Sequence, residues 1–518
     1  MERLVPLLVG IPLGTAFLLA ILAHVKAVSR LTGLIATLAV AANLAIGAAL
    51  WFAGHGDPDY VVRVWAGNWD GLGTPIGIEL VCDGLARLMI ITVNLVALAA
   101  IIFSASYMRR FTTVWLFHSL FLLMTGAMNG VVLAGDLFNL YVFIEVAAIS
   151  SYGLVAFGCE SEELEAAFKY LVLGVLASTF ILAGLTILYS LTGQLNMAKV
   201  AQGVAKVGHT PAVLLAAMCL LGGLGLKAAM VPFHAWLPDA HPSAPAPISA
   251  MLSGVLIKTA GVYALARIVF NVLGVTPYYA NVLIVLGLLS MVLGMFLAIG
   301  QWDLKRLLAY SSISQAGYIV LALGVAADVM SRPDPNRTIA GLCLLGGLFH
   351  LFNHAAFKSL LFLSSGSIEQ STGTRQLKQM GGLSRKMPVT SFCCRIGALS
   401  IAGVPPFNGF FSKILIIIAL ALAGRLVLCA VAVGVAVGTL IMYIKVQRFA
   451  LEGPPSARTS SVRESPWSMR AGMVILAVVC VVAGLAIVPL KQSLLDPAGE
   501  VLLQGVASAG RLVAGGTP

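Results

Sequence analysis

Apolar runs long enough to cross a membrane recur along this chain from its first residues to near its end. Fourteen such stretches lie near residues 3–23, 31–53, 82–104, 113–134, 137–158, 166–191, 212–236, 247–271, 280–300, 306–327, 340–365, 391–421, 425–447 and 469–490. A spanning helix needs about 20 apolar residues. The sixth, seventh, eleventh and twelfth stretches exceed that length, so tilted or broken helices are expected there. The composition excludes a soluble protein: 59% of 518 residues are hydrophobic and only 10% charged, too little charge to cover a water-exposed surface. The expected fold class is an all-α polytopic membrane protein of about 14 transmembrane helices.

Against that background five charges stand where hydrocarbon should be. Glu145, Lys227, Lys258, Lys358 and Lys413 each sit inside a long apolar segment. A charge at bilayer depth costs several kcal/mol or more, so such residues face a protein or water-filled interior and mark ion or proton routes. One acid, four bases and a histidine pair between them read as a proton wire with a switch at one end.

A net charge of +11 raises nucleic acid as a partner, but the placement of the charge argues otherwise. Basic residues gather in alternate loops: Lys26 and Arg30; Arg109 and Arg110; Lys305 and Arg306; Arg375, Lys378, Arg385 and Lys386; Lys445, Arg448, Arg458 and Arg463. The intervening loops hold fewer, such as Arg63, Lys199, Lys206, Arg332 and Arg337. This positive-inside asymmetry places both termini outside the cytoplasm, in a plasma (inner) membrane. The first span has no basic region before it and no convincing cleavage site, so a retained helix is expected rather than a signal peptide. Eight scattered cysteines form no Cys-x-x-Cys pair, which argues against a metal, iron–sulfur or disulfide framework. No Gly-rich nucleotide loop follows a strand. No cofactor or metal is expected, and any redox chemistry belongs to a partner.

Two spans are interrupted. The seventh runs into Val231-Pro232-Phe233-His234-Ala235-Trp236-Leu237-Pro238, followed by Pro242, Pro245 and Pro247, and the twelfth carries Gly403-Val404-Pro405-Pro406-Phe407-Asn408-Gly409. Proline removes a helix hydrogen bond and clashes with the preceding turn, so both helices should break. Broken backbone at membrane depth survives only when buried in protein or lining a wet cavity. The break falls in the fourth member of spans four to eight and again in the fourth member of spans nine to thirteen. Five is odd, so the second group enters from the opposite side: two inverted five-helix repeats around a midplane site. The expected units are 1–111 (three N-terminal helices), 112–271 (first repeat), 272–450 (second repeat) and 451–518 (a cytoplasmic loop and C-terminal helix).

Glu145 lies mid-span and is read as a carboxylate that pairs with a lysine and moves; the competing reading is a structural ion pair. Lys227 precedes the first break, and Lys258 is deep in the next helix; neither is near enough to an end to snorkel easily. Burial disfavours a charged ammonium and a nearby carboxylate restores it. At 4 Å and an effective dielectric of 20 one such pair is worth about 4 kcal/mol, against about 2.3 kcal/mol per charge from 100 mV of membrane potential. Moving Glu145 relative to Lys227 is therefore a large enough change to load or unload a driven proton. His350, His354 and Lys358 fall at i, i+4 and i+8, on one helix face over about 12 Å. Histidine exchanges protons near pH 6.5; hydrogen bonding and zinc binding are the rival readings, the latter without a visible third ligand. Lys413, after the second break, is either the last group before exit or a cap on unpaired carbonyls there. His234 in the first break is open between relay and carbonyl capping. Lys169 is open between an interfacial anchor and a proton-entry group. Asp136 reads as a helix N-cap, and His118 and Asp83 as lone structural polar groups.

These residues lie in recognisable motifs. They are Val81-Cys82-Asp83-Gly84-Leu85, Gly135-Asp136-Leu137-Phe138-Asn139-Leu140, VPFHAWLPDAHPSAPAP at 231–247, the run from Asp303 to Gln315, FHLFNHAAFKSLLFL at 349–363 and the break leading to Lys413. With them the chain resembles the antiporter-like membrane subunits shared by respiratory complex I, membrane-bound hydrogenases and Mrp-type sodium/proton antiporters. The stretches Gln194-Leu195-Asn196-Met197-Ala198-Lys199 and Thr372-Gly373-Thr374-Arg375 look most like the D-type member of the Mrp antiporters and its hydrogenase relatives. The short C-terminus departs from the largest complex I antiporter subunit, which carries a long lateral helix. The resemblance implies that Glu145 and Lys227 are the family's glutamate–lysine pair, Lys258 its central lysine, Lys413 its exit-side charge, and His350, His354 and Lys358 its eleventh-helix relay. It further implies a proton-translocating subunit without catalytic chemistry of its own, partnered by other membrane subunits, with protons and sodium as candidate ions. A membrane scaffold that docks redox partners without conducting is the alternative.

Overall fold

A computed structural model describes the chain apart from residues 24–30, 56, 58, 67–76, 457, 460–461 and 508–518; Lys26 and Arg30 lie outside the described residues. Among the described residues, twelve helices are long and apolar enough to cross a membrane: Glu2–Leu22, Thr32–Ala53, Gly84–Arg110, Val114–Leu133, Leu137–Val155, Ser161–Thr192, Ala246–Leu273, Pro277–Ile299, Leu304–Met330, Arg337–Thr372, Leu426–Glu452 and Trp467–Leu485. Two further crossings are split. The seventh consists of Pro211–Lys227 and Leu237–Ser243, the twelfth of Pro388–Ala402 and Asn408–Leu422. The fourteen crossings are numbered below in chain order.

Both breaks fall where proline demands them. The seventh crossing stops at Lys227, the chain turns through Ala229 in the left-handed region (φ 53°), and Val231 donates its N–H to Ser290 Oγ at 2.8 Å rather than to a helix carbonyl. The twelfth stops at Ala402 with Gly403 at φ 80°, a conformation glycine adopts without strain, and resumes at Asn408. Crossings four to eight and nine to thirteen thus each carry a broken fourth member and run in opposite senses, as inverted repeats.

Proline acts differently in the first crossing. Pro12 has no N–H to give the Leu8 carbonyl. The Asn43 and Asn129 side-chain amides donate to that oxygen instead, at 2.8 and 3.1 Å, and Asn94 donates to Asn129 Oδ1 at 3.0 Å. One missing backbone bond becomes the polar tie that joins four N-terminal helices.

The stretch before the third crossing, which reads as a loop, contains a hairpin of β1 (Val62–Ala66) and β2 (Ile78–Cys82), antiparallel with Val62 opposite Cys82 and Trp65 opposite Glu79. Alternating β-branched and polar residues suit a half-buried ribbon. Buried Glu79 accepts from Arg63 within the ribbon and from the Asn196 side chain, so the hairpin is pinned over the start of the fifth crossing.

The loops gather at the two ends of the bundle. On one, the arginine-rich face, Asp239 bonds Lys169 and Arg306, Asp303 bonds Arg375, and Glu369 bonds Lys305. On the other lie β1 and β2, the Asp328–Arg425 pair and a helix missed in the sequence, Asp496–Gln504, which lies across the third, eighth and eleventh crossings. The eighth crossing is buried along its length and is π-wound at Leu252–Tyr263 and Arg267–Leu273, a winding that in other helices marks functional positions.

Candidate functional site

Glu145 and Lys227 meet. Lys227 Nζ lies 3.2 Å from Glu145 Oε1, and Ser178 on the sixth crossing donates its hydroxyl to the same carboxylate oxygen. Lys227 is the last residue of its half-helix, and the break fixes it there: Trp236 folds back so that its indole N–H donates to Leu226 O at 3.2 Å, and its ring stacks on Tyr170 at 4.2 Å. Tyr170 is in turn held by Ser151 Oγ at 2.9 Å, on the helix that carries Glu145. Acid and base are therefore oriented by the same aromatic stack.

Lys258 is fully buried, and its ammonium donates to Ser253 O, a carbonyl of its own π-wound turn. No carboxylate among the described residues bonds it. Lys227 opens onto a cavity of about 10 Å³ that is also walled by Ile144, Tyr170, Trp236, Leu256 and Ile257. That volume holds one water at most, and the wall it meets on the eighth crossing, Leu256, Ile257 and Ala260, is apolar.

Beyond Lys258 lie further buried polar groups. His354 lies within electrostatic reach of Lys258, Lys358, His350 and Lys413, and the two histidine rings are 6.5 Å apart. His350 Nδ1 is 2.9 Å from Ser412 Oγ. Lys358 donates to Ser311 Oγ at 2.7 Å and to Tyr443 OH at 3.4 Å. Lys413 donates to Ile401 O at 2.7 Å and sits 5.3 Å from the Tyr318 ring, so the carbonyl-capping geometry is present. Both nitrogens of His354, Nε2 of His350 and both amide atoms of Gln315 are buried with no hydrogen-bond partner. Buried polar atoms are ordinarily paired, so these atoms are positions at which water would complete the hydrogen bonding.

The remaining sequence candidates lie elsewhere. Lys169 is half-exposed on the arginine-rich face, bonded to Glu165 at 2.8 Å and Asp239 at 3.3 Å. His234 is half-buried between exposed Phe233 and Ala235. Asp136 caps the fifth crossing by accepting from Asn139 N at 2.7 Å, and its burial raises its carboxyl above the usual range. His118 Nδ1 pairs with Thr32 Oγ1 at 3.1 Å. Asp83 is not a lone group: besides capping Ala86 it forms an ion pair with Arg267 at 2.6 Å. Among the described residues no three His, Cys, Asp or Glu side chains converge as a metal site.

Residues 134–439 match the family described as NADH:quinone oxidoreductase/Mrp antiporter, TM. This chain belongs to that family. It is 36% identical over 499 residues to NADH-quinone oxidoreductase subunit N of Desulforudis audaxviator, covering 92% of this chain and 95% of that one. It is 33% identical to the D-type member of the Na(+)/H(+) antiporter of Alkalihalophilus pseudofirmus, covering 84% and 85%. Among solved structures, a chain of the Mrp complex from Dietzia sp. superposes with a TM-score of 0.87 at 28% identity over 98% of this chain and 99% of that chain. A chain of an archaeal membrane-bound sulfane sulfur reductase superposes with a TM-score of 0.84 at 29% identity, over 98% and 100%.

In this antiporter-family chain two interior groups escaped the sequence reading. His241 is fully buried in the seventh crossing, its ring 4.7 Å from Phe362, with neither nitrogen paired. Lys258, Lys305 and Lys358 all lie within its electrostatic reach. Lys305, grouped by sequence with the loop bases, is buried: it bonds Glu369 at 2.9 Å and donates to Ala244 O at 3.1 Å. Lys305, Glu369, Arg375 and Pro242 line a cleft of about 350 Å³ on the arginine-rich face, one residue away from His241.

Proposed function

We propose that this subunit moves protons across the membrane along its buried polar line, as one member of a multisubunit cation/proton antiporter or of the membrane arm of a related oxidoreductase. The observation that carries the reading is the asymmetry of the two central lysines: Lys227 has its carboxylate, and Lys258 has none among the described residues. Drawing Glu145 away from Lys227 leaves an uncompensated ammonium in a buried site, which favours passing its proton toward Lys258 once water connects the two. His354, His350 and Lys413 carry the charge onward, and Lys358 with His241 connects the centre to the arginine-rich cleft.

The arginine-rich face is the cytoplasmic one by the positive-inside rule, so both termini lie outside the cytoplasm and Lys413 lies on the exit half. The first repeat (112–271) acts as the switch and the second (272–450) as the conduit, with 1–111 and 451–518 packed around them. Replacing Lys258 separates conduction from scaffolding. In the assembled complex in vesicles, Lys258→Ala abolishes transport, and Lys258→Arg does so as well because arginine does not release its proton. Full transport by the Arg variant would leave the buried charges as ion-pair scaffolding.

A further inference from the structure

A second buried charge cluster lies outside the polar line, toward the arginine-poor face. Arg267 is on the eighth crossing, nine residues beyond Lys258. Its guanidinium bonds Asp83 at 2.6 Å and Tyr263 OH at 3.0 Å. Arg87, one turn into the third crossing, is 2% exposed; one of its terminal nitrogens has no partner and another makes a single long bond, 3.4 Å, to Tyr60 O. Asp83 pairs with Arg267 alone, but Asp83, Arg87 and Arg267 all lie within electrostatic reach of Cys82, so one carboxylate shares this end of the bundle with two guanidinia and the three carry net positive charge inside the protein.

The surroundings close this end of the bundle. Tyr263, between Lys258 and Arg267, donates its only hydroxyl proton to Val132 O. Asn271, one turn further, donates to Val501 O and Gly505 O at 3.0 and 3.1 Å, which fastens the helix Asp496–Gln504 across the opening. Gly84 makes room for that helix: a Cβ there would lie 2.3 Å from Pro497 O. A guanidinium is unsuited to relay a proton because it stays charged at all relevant pH values, and fixed arginines exclude protons and cations from other pores.

We propose that Asp83, Arg87 and Arg267 form an electrostatic seal closing the first repeat toward the arginine-poor face, so that a proton at Lys258 leaves only through the second repeat. This rests on the reading of Lys258 as a proton carrier. Inverted repeats supply two half-paths, and one-way delivery requires that each be shut at one end.

The test uses the assembled complex in vesicles carrying an imposed pH difference and no driving reaction. The double variant Asp83→Asn/Arg267→Gln removes both charges together, so that neither is left buried without its partner. Without the fixed guanidinium beyond Lys258, passive decay of the gradient is expected to quicken about tenfold, a barrier lowered by roughly 1.4 kcal/mol, and to return to the wild-type rate when Lys258→Ala is added. Decay at the wild-type rate in the double variant would make the cluster a structural staple. A leak that survives Lys258→Ala would be general damage, which equally overturns the seal. If the double variant fails to assemble, Arg87→Gln decides, because this guanidinium makes only the one long bond: a Lys258-dependent leak supports the seal and a tight membrane refutes it. Lys258-dependent transport by the wild type is measured beside these. Its absence sinks the underlying reading, whereas its presence with a tight double variant sinks the seal alone.

Discussion

In the proposed mechanism two oxygens and one nitrogen, Glu145 Oε1, Ser178 Oγ and Lys227 Nζ, decide whether Glu145 works as a switch. The carboxylate is held by the Lys227 ammonium and the Ser178 hydroxyl, and both holds are charge-assisted, worth about 1.5–3 kcal/mol each. Glu145→Gln leaves Lys227 facing an amide and is expected to stop transport while the chain still assembles. Ser178→Ala removes one hold, and transport is expected to fall about tenfold, since that range of energies corresponds to one to two powers of ten; initial rates in vesicles of the assembled complex check both. Unchanged rates in Ser178→Ala would mean that the hydroxyl only spectates. Residues of this kind are legible in sequence because a charge inside an apolar run has no innocent explanation. His241 and Lys305 were not, because each sits among prolines or other charges, where polar residues ordinarily meet water. Their burial comes from the half-helix Leu237–Ser243 packing against the tenth and eleventh crossings, a tertiary fact with no local signal. Asp83 looked solitary for the same reason, its partner Arg267 being 184 residues away.

At the level of elements, the two breaks were legible from proline, while the π-winding of the eighth crossing and the helix Asp496–Gln504 were not. Proline and glycine punctuate a chain locally, whereas π-winding is imposed by neighbours. Gly261 shows how. It lies where the eighth crossing touches the first break, and a Cβ there would come within 2.5 Å of Ala228 Cα and 2.6 Å of Ala228 N. Backbone, not a pliable side chain, fills that space, so Gly261→Ala must move either the eighth crossing or the residue following Lys227. Overpacking of this kind costs about 1–3 kcal/mol. The expected outcome is a complex that melts a few degrees lower and transports much more slowly, because Lys227 is displaced from Glu145. Thermal unfolding and transport rates measured on the same preparation check this; loss of stability without loss of transport would show that the lysine's position is not critical. The same contact explains why the seventh and eighth crossings act as one unit: the break cannot shift without pressing on the helix that carries Lys258.

For the molecule as a whole, the position of the switch argues that the single chain is incomplete. The Glu145 side chain is 22% exposed, midway along a crossing whose outer face also shows Phe138 and Ile149, beside the exposed Phe168, Val175 and Phe180 of the sixth. Apolar side chains there suit lipid, but a carboxylate does not, since charge in hydrocarbon costs several kcal/mol. The face has the character expected of one covered by a neighbouring membrane subunit, which would exclude lipid and could supply the force that moves Glu145. The first two crossings expose residues such as Phe17 and Leu38 with no charge among them, the character of a lipid-facing wall. Cysteine labelling distinguishes the two. In a background without the partly exposed Cys159, Cys219 and Cys429, Ile149→Cys is expected to react with a membrane-permeant maleimide when the chain is made alone and to be protected in the assembled complex. Leu38→Cys reacts in both states. Equal labelling of Ile149→Cys in both states would leave Glu145 facing lipid, and the switch would then need a source of motion from within this chain.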